Sequence, residues 1–281
     1  MRRFERSEIL ERLAGVRERA EPIVMGGAGI GLVAKAADRA GIDILMAYNT
    51  GPFRMDGHGS LAGYLAYGDA NAITLELGRK ILPVVERTPV MGGIGAADPY
   101  RDVERLIDDF LHAGFSGITN VPTAGIYDGA FRRAIDATGL GYPLEVDLIR
   151  TCRARDVFTV AYAFTPDEAA AMAEAGADIV GAHVGLTSGG LTGAAETSSV
   201  EQACDAVQRM ADAAVRARRD VIVVAHGGPF EDPDSVRTVF ERTSVDGYLG
   251  ASSIERLPVE LAIDEIVRAF KGLPLGRPRT R

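Results

Sequence analysis

The sequence predicts a single (β/α)8 barrel with one extra helix at its N-terminus. Two observations predict this fold: eight short apolar segments alternate with longer segments of helical periodicity, and glycines follow many of the apolar segments. The chain has 281 residues, close to the roughly 250 residues typical of such barrels. An open, doubly wound sheet is the alternative, because a count of strands does not show that the sheet closes.

The eight predicted strands are continuous apolar runs, as expected for parallel strands buried on both faces. They cover residues 22–26, 42–47, 89–93, 117–121, 158–163, 178–183, 221–226 and 246–250. Segments with helical periodicity accompany them, among them residues 30–40, 61–82, 100–113, 166–175, 199–218, 234–243 and 258–270. Asp98 and Pro99 are expected to begin the third of these helices, since proline favours the first helical position.

A further helix is predicted over residues 4–19, where Ile9, Leu13 and Val16 share one face. This face is expected to cover the bottom of the barrel. Residues 1–271 are predicted to form one barrel domain, because no linker rich in proline, serine or glycine divides them. Residues 272–281 are predicted to be a disordered tail.

The charge balance limits the classes of partner. The chain has 39 acidic and 31 basic side chains, a formal net charge of −8, which disfavours binding to nucleic acid or to anionic membranes. No apolar run approaches the roughly 18 residues of a membrane-spanning helix, and the N-terminus does not look like a signal peptide. A cytoplasmic location is therefore expected. Cys152 and Cys204 both fall in helical segments, so neither a disulfide framework nor a Cys/His metal cluster is expected.

The active site of such a barrel forms at the carboxyl ends of its strands, and phosphate commonly lies on the loops after strands seven and eight. In those two loops Gly227, Gly228, Ser252 and Ser253 are predicted to hold an anionic group through backbone amides and hydroxyls. The alternative is that the glycines only form tight turns and the serines only cap the next helix.

Two histidines end neighbouring predicted strands. His183 and His226 are predicted to act as acid and base, since imidazole titrates near neutral pH, although each alone is equally typical of a core histidine. Arg54 is predicted to neutralise a substrate carboxylate; the equal alternative is that it is the partner in a surface ion pair. Three more residues near strand ends are predicted to orient the substrate: Asn49, Asn120 and Tyr162.

Some reaction types lack the residues they need. Lys35, Lys80 and Lys271 all fall in predicted helices, so no lysine is placed at a strand end to form a Schiff base, and no cysteine is placed there as a nucleophile. Few carboxylates lie near the predicted mouth: Asp69, Glu76, Asp98, Glu196 and Glu255. Their spacing gives no support for a divalent metal site.

Six strings of residues near the strand ends resemble those of the phosphoenolpyruvate hydrolase-like family. They are Asn49-Thr50-Gly51-Pro52-Phe53-Arg54, Gly68-Asp69-Ala70-Asn71, Asn120-Val121-Pro122-Thr123, His183-Val184-Gly185-Leu186-Thr187, His226-Gly227-Gly228-Pro229 and Gly250-Ala251-Ser252-Ser253-Ile254-Glu255-Arg256-Leu257-Pro258. The resemblance implies a TIM barrel near the phosphoenolpyruvate mutase and isocitrate lyase group. Members of that group make or break bonds next to a 2-oxo acid with a magnesium ion, so Mg²⁺ is the cofactor implied. The lysine- and cysteine-bearing catalytic loop of those lyases has no counterpart in this sequence.

Two functions are hypotheses at this point. The first is an enzyme that acts on a small oxo-acid or phosphorylated carboxylate by acid/base chemistry, through hydrolysis or C–C bond cleavage with an enolate-like intermediate. The second is a non-catalytic barrel that senses a small anion. A small anionic ligand is expected in both cases, and the chain is expected to form a homo-oligomer.

Overall fold

The strands close into a barrel. The computed structural model describes residues 2–275, in which eight parallel strands pair in chain order and β8 returns to pair with β1. The strands are β1 Ile23–Gly27, β2 Ile44–Ala47, β3 Val90–Gly93, β4 Gly117–Thr119, β5 Phe158–Ala163, β6 Ile179–His183, β7 Ile222–His226 and β8 Gly247–Gly250. The predicted (β/α)8 barrel is confirmed, and the open doubly wound sheet is excluded because closure leaves no free edge.

Helices follow each strand and form the outer layer. Residues 2–275 contain α1 Arg6–Glu18, α2 Gly31–Ala40, α3 Thr50–Met55, α4 Ala70–Ile81, α5 Val103–Ala113, α6 Gly129–Ala137, α7 Pro143–Ala154, α8 Pro166–Ala175, α9 Val200–Ala217, α10 Pro233–Arg242 and α11 Arg256–Lys271. Short 3₁₀ helices lie at Ser60–Tyr64, Leu82–Val84 and Ala124–Ile126. No helix in the described part of the chain combines the length and apolar character needed to cross a bilayer.

The long helix predicted over residues 61–82 is wrong in its first half. A 3₁₀ turn at Ser60–Tyr64 comes first, and α4 begins only after Asp69, whose side chain accepts a hydrogen bond from the amide of Ala72 at 2.9 Å. Gly63 packs so closely on the loop after β2 that a Cβ atom there would lie 2.6 Å from the side chain of Thr50. This tertiary contact overrides the local helical pattern.

The expected helix start at Asp98 and Pro99 is also wrong. Helix α5 begins at Val103, and Asp102 is its N-cap, accepting from the amides of Glu104 and Arg105. Asp98 instead closes a turn in the loop after β3. Three helices lie outside the helical segments named from the sequence: α3, which carries Arg54, α6, which has no buried residue, and α7.

The N-terminal helix covers the bottom of the barrel, as predicted. Ile9, Leu13 and Val16 are buried and join the cluster of apolar side chains that fills the barrel interior. Arg6 fixes the helix in place, because its Nη2 atom donates to Asp178, just before β6, at 2.7 Å. At the other end of the chain, residues 272–275 are exposed and form neither helix nor strand. The rest of the predicted tail, residues 276–281, lies outside the described residues.

Candidate active site

Two histidines meet at the carboxyl edge of the sheet. His183 ends β6 and His226 ends β7, and the two residues are partners in the parallel register. Their ring centroids are 4.6 Å apart, with the ring planes at 79°. Both side chains are buried, and the ring of His183 stacks on Phe164 at 4.4 Å. The structure thus brings together the pair that the sequence predicts to act as acid and base.

The backbone determines which ring nitrogen of each histidine carries the proton. The amide of Gly185 donates to Nδ1 of His183 at 3.0 Å, so this nitrogen holds a lone pair and a neutral ring carries its proton on Nε2. In contrast, Nδ1 of His226 lies 2.6 Å from the carbonyl oxygen of Leu249. A carbonyl oxygen only accepts, so Nδ1 of His226 is protonated and Nε2 holds the lone pair. The pair therefore offers one N–H donor and one nitrogen acceptor.

Burial keeps both imidazoles neutral. It lowers the pKa of His226 to about 4, although the hydrogen bond to the Leu249 carbonyl acts in the opposite direction. Burial also lowers the pKa of His183 well below its ordinary value, and the neighbouring His226 adds to this effect. Near pH 7 both rings are uncharged, so the assignment of one donor and one acceptor holds there.

Arg54 forms a buried ion pair with Glu255. Its Nε and Nη2 atoms both contact Oε1 of Glu255, and the exposed fractions of the two side chains are 3% and 0%. The other carboxylate oxygen accepts from the amide of Gly29 at 2.7 Å, and Nη1 of Arg54 donates to Oγ1 of Thr50 at 2.8 Å. Burial disfavours the guanidinium charge, but attraction to Glu255 outweighs it and raises the pKa of Arg54. The pair therefore brings no net charge to the site.

A cavity of about 40 Å³ lies between the histidine pair and the ion pair. Its walls include Tyr48, Arg54, Tyr162, His183, His226 and Ser252, and the turn of residues 60–64 covers it with Ser60 and Tyr64. Gly93 lets this wall form, because a Cβ atom there would lie 2.7 Å from Cβ of Tyr48. A space of this size holds little more than a water molecule, whereas small-molecule sites commonly measure about 300–1,000 Å³. This space must therefore widen before a substrate enters.

The two predicted asparagines shape the site from outside the cavity. Nδ2 of Asn49 donates to the carbonyl of Gly63 at 2.5 Å and so holds the covering turn, while its buried Oδ1 has no partner among the described residues. Asn120 joins β4 to β5, since its Oδ1 accepts from the amide of Tyr162 at 2.7 Å. Its Nδ2 atom donates to Glu145 at 2.6 Å. Neither asparagine lines the cavity, whereas Tyr162 does.

Of the four residues predicted to hold an anion, Ser252 lines the cavity. The amide of Gly228 donates to the carbonyl of Gly185 at 2.8 Å, and the φ angles of Gly227 and Gly228 are +81° and +59°, a conformation that favours glycine. The hydroxyl of Ser253 is hydrogen-bonded to that of Tyr248 at 2.7 Å. The turn-forming role considered for these glycines thus accounts for their geometry.

The carboxylates near the mouth already accept hydrogen bonds from N–H groups. Both oxygens of Glu255 do so, and Asp98 accepts from the amide of Tyr100 at 2.9 Å and from Nε of Arg101 at 2.7 Å. Within residues 2–275, no three His, Cys, Asp or Glu side chains come together as a metal-ligand set. A Mg²⁺ ion requires oxygen ligands in octahedral geometry. The described residues therefore provide no set of three protein ligands for Mg²⁺, an ion that is usually held by one or two carboxylates together with waters and substrate oxygens.

A family model described as phosphoenolpyruvate hydrolase-like matches residues 8–273. The chain belongs to this family. The resemblance carried by the six strand-end strings is thereby confirmed. Among curated relatives of this chain, the ToMV susceptible protein tm-1(GCR26) of Solanum lycopersicum is 46% identical over 268 residues. The alignment covers 95% of this chain and 36% of the tomato protein, so the chain spans little more than a third of that relative's length.

Solved structures share the fold. Phosphoenolpyruvate phosphomutase from Streptomyces platensis subsp. rosaceus has a TM-score of 0.59 and 16% identity, over 95% of this chain and 86% of that one. A phosphonopyruvate hydrolase in complex with oxalate and Mg²⁺ has a TM-score of 0.56 and 16% identity, over 97% of this chain and 93% of that one. At such low identity the likeness supports the barrel fold alone.

Two parts of the site were not assigned a role from the sequence. Tyr48 follows β2 directly, and its strand-end position is a local signal that it faces the mouth. Its ring lies 5.4 Å from the guanidinium carbon of Arg54. Glu255 was recognised as a carboxylate near the mouth, but its pairing with Arg54 joins residues 201 positions apart. No local pattern in the sequence indicates that contact.

Proposed function

We propose that this chain is an enzyme that acts on a small 2-oxo acid or phosphorylated carboxylate through an enolate-like intermediate. The observation that carries the proposal is the complementary protonation of His183 and His226, one ring offering an N–H group and the other a lone pair. The description of the family, and the oxalate bound to the phosphonopyruvate hydrolase of the same fold, support a substrate of this class. The proposal covers both hydrolysis and C–C bond cleavage, since each passes through such an intermediate.

The proposed chemical step is proton removal next to a carbonyl group. Nε2 of His226 accepts the proton from the carbon atom, the C–H electron pair forms a C=C bond, and the carbonyl oxygen gains negative charge. Nε2–H of His183 donates to that oxygen, with the hydroxyl of Ser252 as a second donor. Because the pKa of His226 is about 4, this base is weak, so the step depends on strong stabilisation of the enolate oxygen.

The remaining predicted residues differ in how directly they contact the substrate in this proposal. Tyr162 and Ser252 line the cavity and orient the substrate directly. Arg54 binds a substrate carboxylate only in competition with Glu255. Asn49 and Asn120 position the covering turn and β5, as their hydrogen bonds indicate. Gly227, Gly228 and Ser253 shape the neighbouring loops.

Hydrogen–deuterium exchange tests the proton transfer without knowledge of the final product. Pyruvate, oxaloacetate and short 2,4-dioxo acids in D₂O would be followed by ¹H NMR for loss of the protons next to the carbonyl. We expect exchange with the wild type, and a loss of at least about 100-fold in His226→Gln, the range for removal of a general base. His112→Gln, a change at a histidine on α5 remote from the site, is the matched control and should exchange normally. Unchanged exchange in His226→Gln would refute the assignment.

The non-catalytic sensor is the second candidate, and the pKa of about 4 for His226 favours it, because burial leaves this imidazole a weak base at neutral pH. A sensor needs a tight anion site but no proton transfer. Calorimetric titration with oxalate distinguishes the two: a sensor binds oxalate yet exchanges no substrate proton in any acid tested. In that case His183→Gln and His226→Gln should reduce oxalate affinity only modestly.

A further inference from the structure

A second, larger cavity opens beside the candidate active site. It measures about 590 Å³ and lies among the loops that follow β2, β3 and β4. Tyr64 is part of the wall of both cavities, and the chain at Val121 and Pro122 separates them, since Val121 lines the small cavity and Pro122 the large one. Its volume is in the range of about 300–1,000 Å³ that is usual for small-molecule sites. None of the residues proposed for the proton transfer lines it.

Aromatic and aliphatic side chains form much of its wall. Tyr64 and Tyr127 meet edge to face with ring centroids 6.3 Å apart, and the Tyr127 hydroxyl donates to the carbonyl of Tyr64 at 2.7 Å. Leu65 and Tyr100, also on the wall, are both exposed. Such a surface takes up an apolar body, and tyrosine rings also attract cations through their faces.

The charged side chains on this wall leave an excess of negative charge. Among the described lining residues they are Asp69, Asp98, Arg101 and Glu145. Arg101 contacts both aspartates, with its Nη2 atom 2.5 Å from Oδ1 of Asp69, so one guanidinium is shared by two carboxylates. The side chain of Asp69 is about half exposed, at 49%. An anion entering the cavity would be repelled, which separates this cavity from any site for an anionic substrate.

Glu145 adds a carboxyl group with spare acceptor capacity. Its Oε1 atom accepts from the amide of Ala124 at 2.6 Å, and its Oε2 atom accepts from Asn120 at 2.6 Å. The side chain of Thr123 is a third donor to this carboxylate, so of its roughly four lone-pair positions one remains for a ligand. Burial raises the pKa of Glu145 to about 7, against the effect of these hydrogen bonds, and repulsion by the carboxylate of Glu168 adds to the rise. A bound cation would favour the ionised form of Glu145.

From this geometry we propose that the large cavity is a second ligand site and takes an organic cation with an apolar, ring-bearing body. The tyrosine and leucine side chains hold the body, and the carboxylates of Asp69 and Glu145 face the charge. The site is independent of the histidine pair, so it does not depend on the proposed enzymatic function.

Three probes with the same two-ring body test the charge preference by isothermal titration calorimetry. They are 1-naphthylmethylammonium, 1-naphthalenemethanol and 1-naphthoate. We expect the ammonium probe to bind about tenfold more tightly than the alcohol, the size of one moderate cation–π or ionic contact. The carboxylate should bind most weakly. Equal affinity for all three probes, or preference for the carboxylate, would overturn the proposal.

Variants locate the binding. Ala124 is half-buried on the cavity wall, and Ala124→Phe should weaken both the ammonium and the alcohol probe about tenfold or more by filling space. Ala213→Phe, at a half-buried alanine of α9 outside the cavity, is the matched control. If Ala124→Phe binds as the wild type does, the cavity is not the site.

Two further variants separate charge from shape. Glu145→Gln and Asp69→Asn each remove a carboxylate charge at nearly constant volume, and asparagine preserves the N-cap of α4. Each should reduce the preference for the ammonium probe over the alcohol several-fold and leave the alcohol affinity unchanged. If Glu145→Gln fails to fold, Asp69→Asn alone decides. An undiminished preference in Asp69→Asn would show that these carboxylates do not recognise the cation.

Discussion

The buried ion pair of Arg54 and Glu255 gives the most direct test of how the site is built. In Arg54→Met the Glu255 carboxylate, whose side chain is 0% exposed, keeps only the amide of Gly29 as a donor. An uncompensated buried charge of this kind costs about 3–5 kcal/mol of folding free energy. We therefore expect Arg54→Met to lower the free energy of unfolding by that amount.

The double variant Arg54→Met with Glu255→Met should recover most of this loss. It removes both charges, and replacing a whole buried pair by apolar side chains is often neutral or stabilising. Urea denaturation followed by circular dichroism measures all members of the cycle. The exposed pair of Arg79 and Glu76 is the control: its side chains are 81% and 55% exposed, so Arg79→Met should cost no more than about 1 kcal/mol.

A cost below about 1 kcal/mol for Arg54→Met, or a double variant no more stable than the single one, would contradict a fully buried ion pair. Either result would mean that water reaches the pair and that Arg54 is available as a free cation. The recovered double variant has a further use, because it is expected to be folded yet unable to hold a substrate carboxylate at this position. Its activity then separates the structural role of Arg54 from its role in binding.

Three other predictions concern pH, metal and assembly. The pKa of His226 is about 4 in the folded protein and about 6.5 in the unfolded chain. Relative to the charged form, its neutral form therefore stabilises the fold above pH 6.5 by about 3 kcal/mol, and this stabilisation is lost as the pH falls to 4. The difference in the free energy of unfolding between the wild type and His226→Gln, measured in urea, should change by this amount over that range, and a constant difference would contradict the pKa. Calorimetric titration of the substrate-free protein with Mg²⁺ should show no binding, because no set of three potential ligands is found among the described residues, and saturable binding would refute this. Helix α11 exposes the apolar side chains of Ile263, Ile266 and Phe270, by 55%, 49% and 66%, so we expect the chain to form a homo-oligomer through this face. Ile266→Glu should dissociate the oligomer, as measured by size-exclusion chromatography with light scattering. A monomeric wild type would contradict this prediction.

The barrel could be predicted from the sequence because its signals are local. Each strand is a short apolar run, and every such run except the fourth is followed by one of the named segments with helical periodicity. The histidine pair followed from the same reasoning, since the ends of consecutive parallel strands lie side by side. The turn at Ser60–Tyr64 could not be predicted in this way, because the close contact of Gly63 with Thr50 depends on the folded loop.

The charge of the site shows the limit of that reasoning most clearly. From the sequence, Arg54 is a cation near the mouth and predicts attraction of an anion. In the structure Glu255 cancels that charge and burial keeps His183 and His226 neutral, so the described cavity wall carries no net charge. An anionic substrate must then be held by N–H and O–H dipoles, or must displace Glu255 from Arg54. The second route requires the buried Glu255 carboxylate to take up a proton, and burial already raises its pKa in that direction.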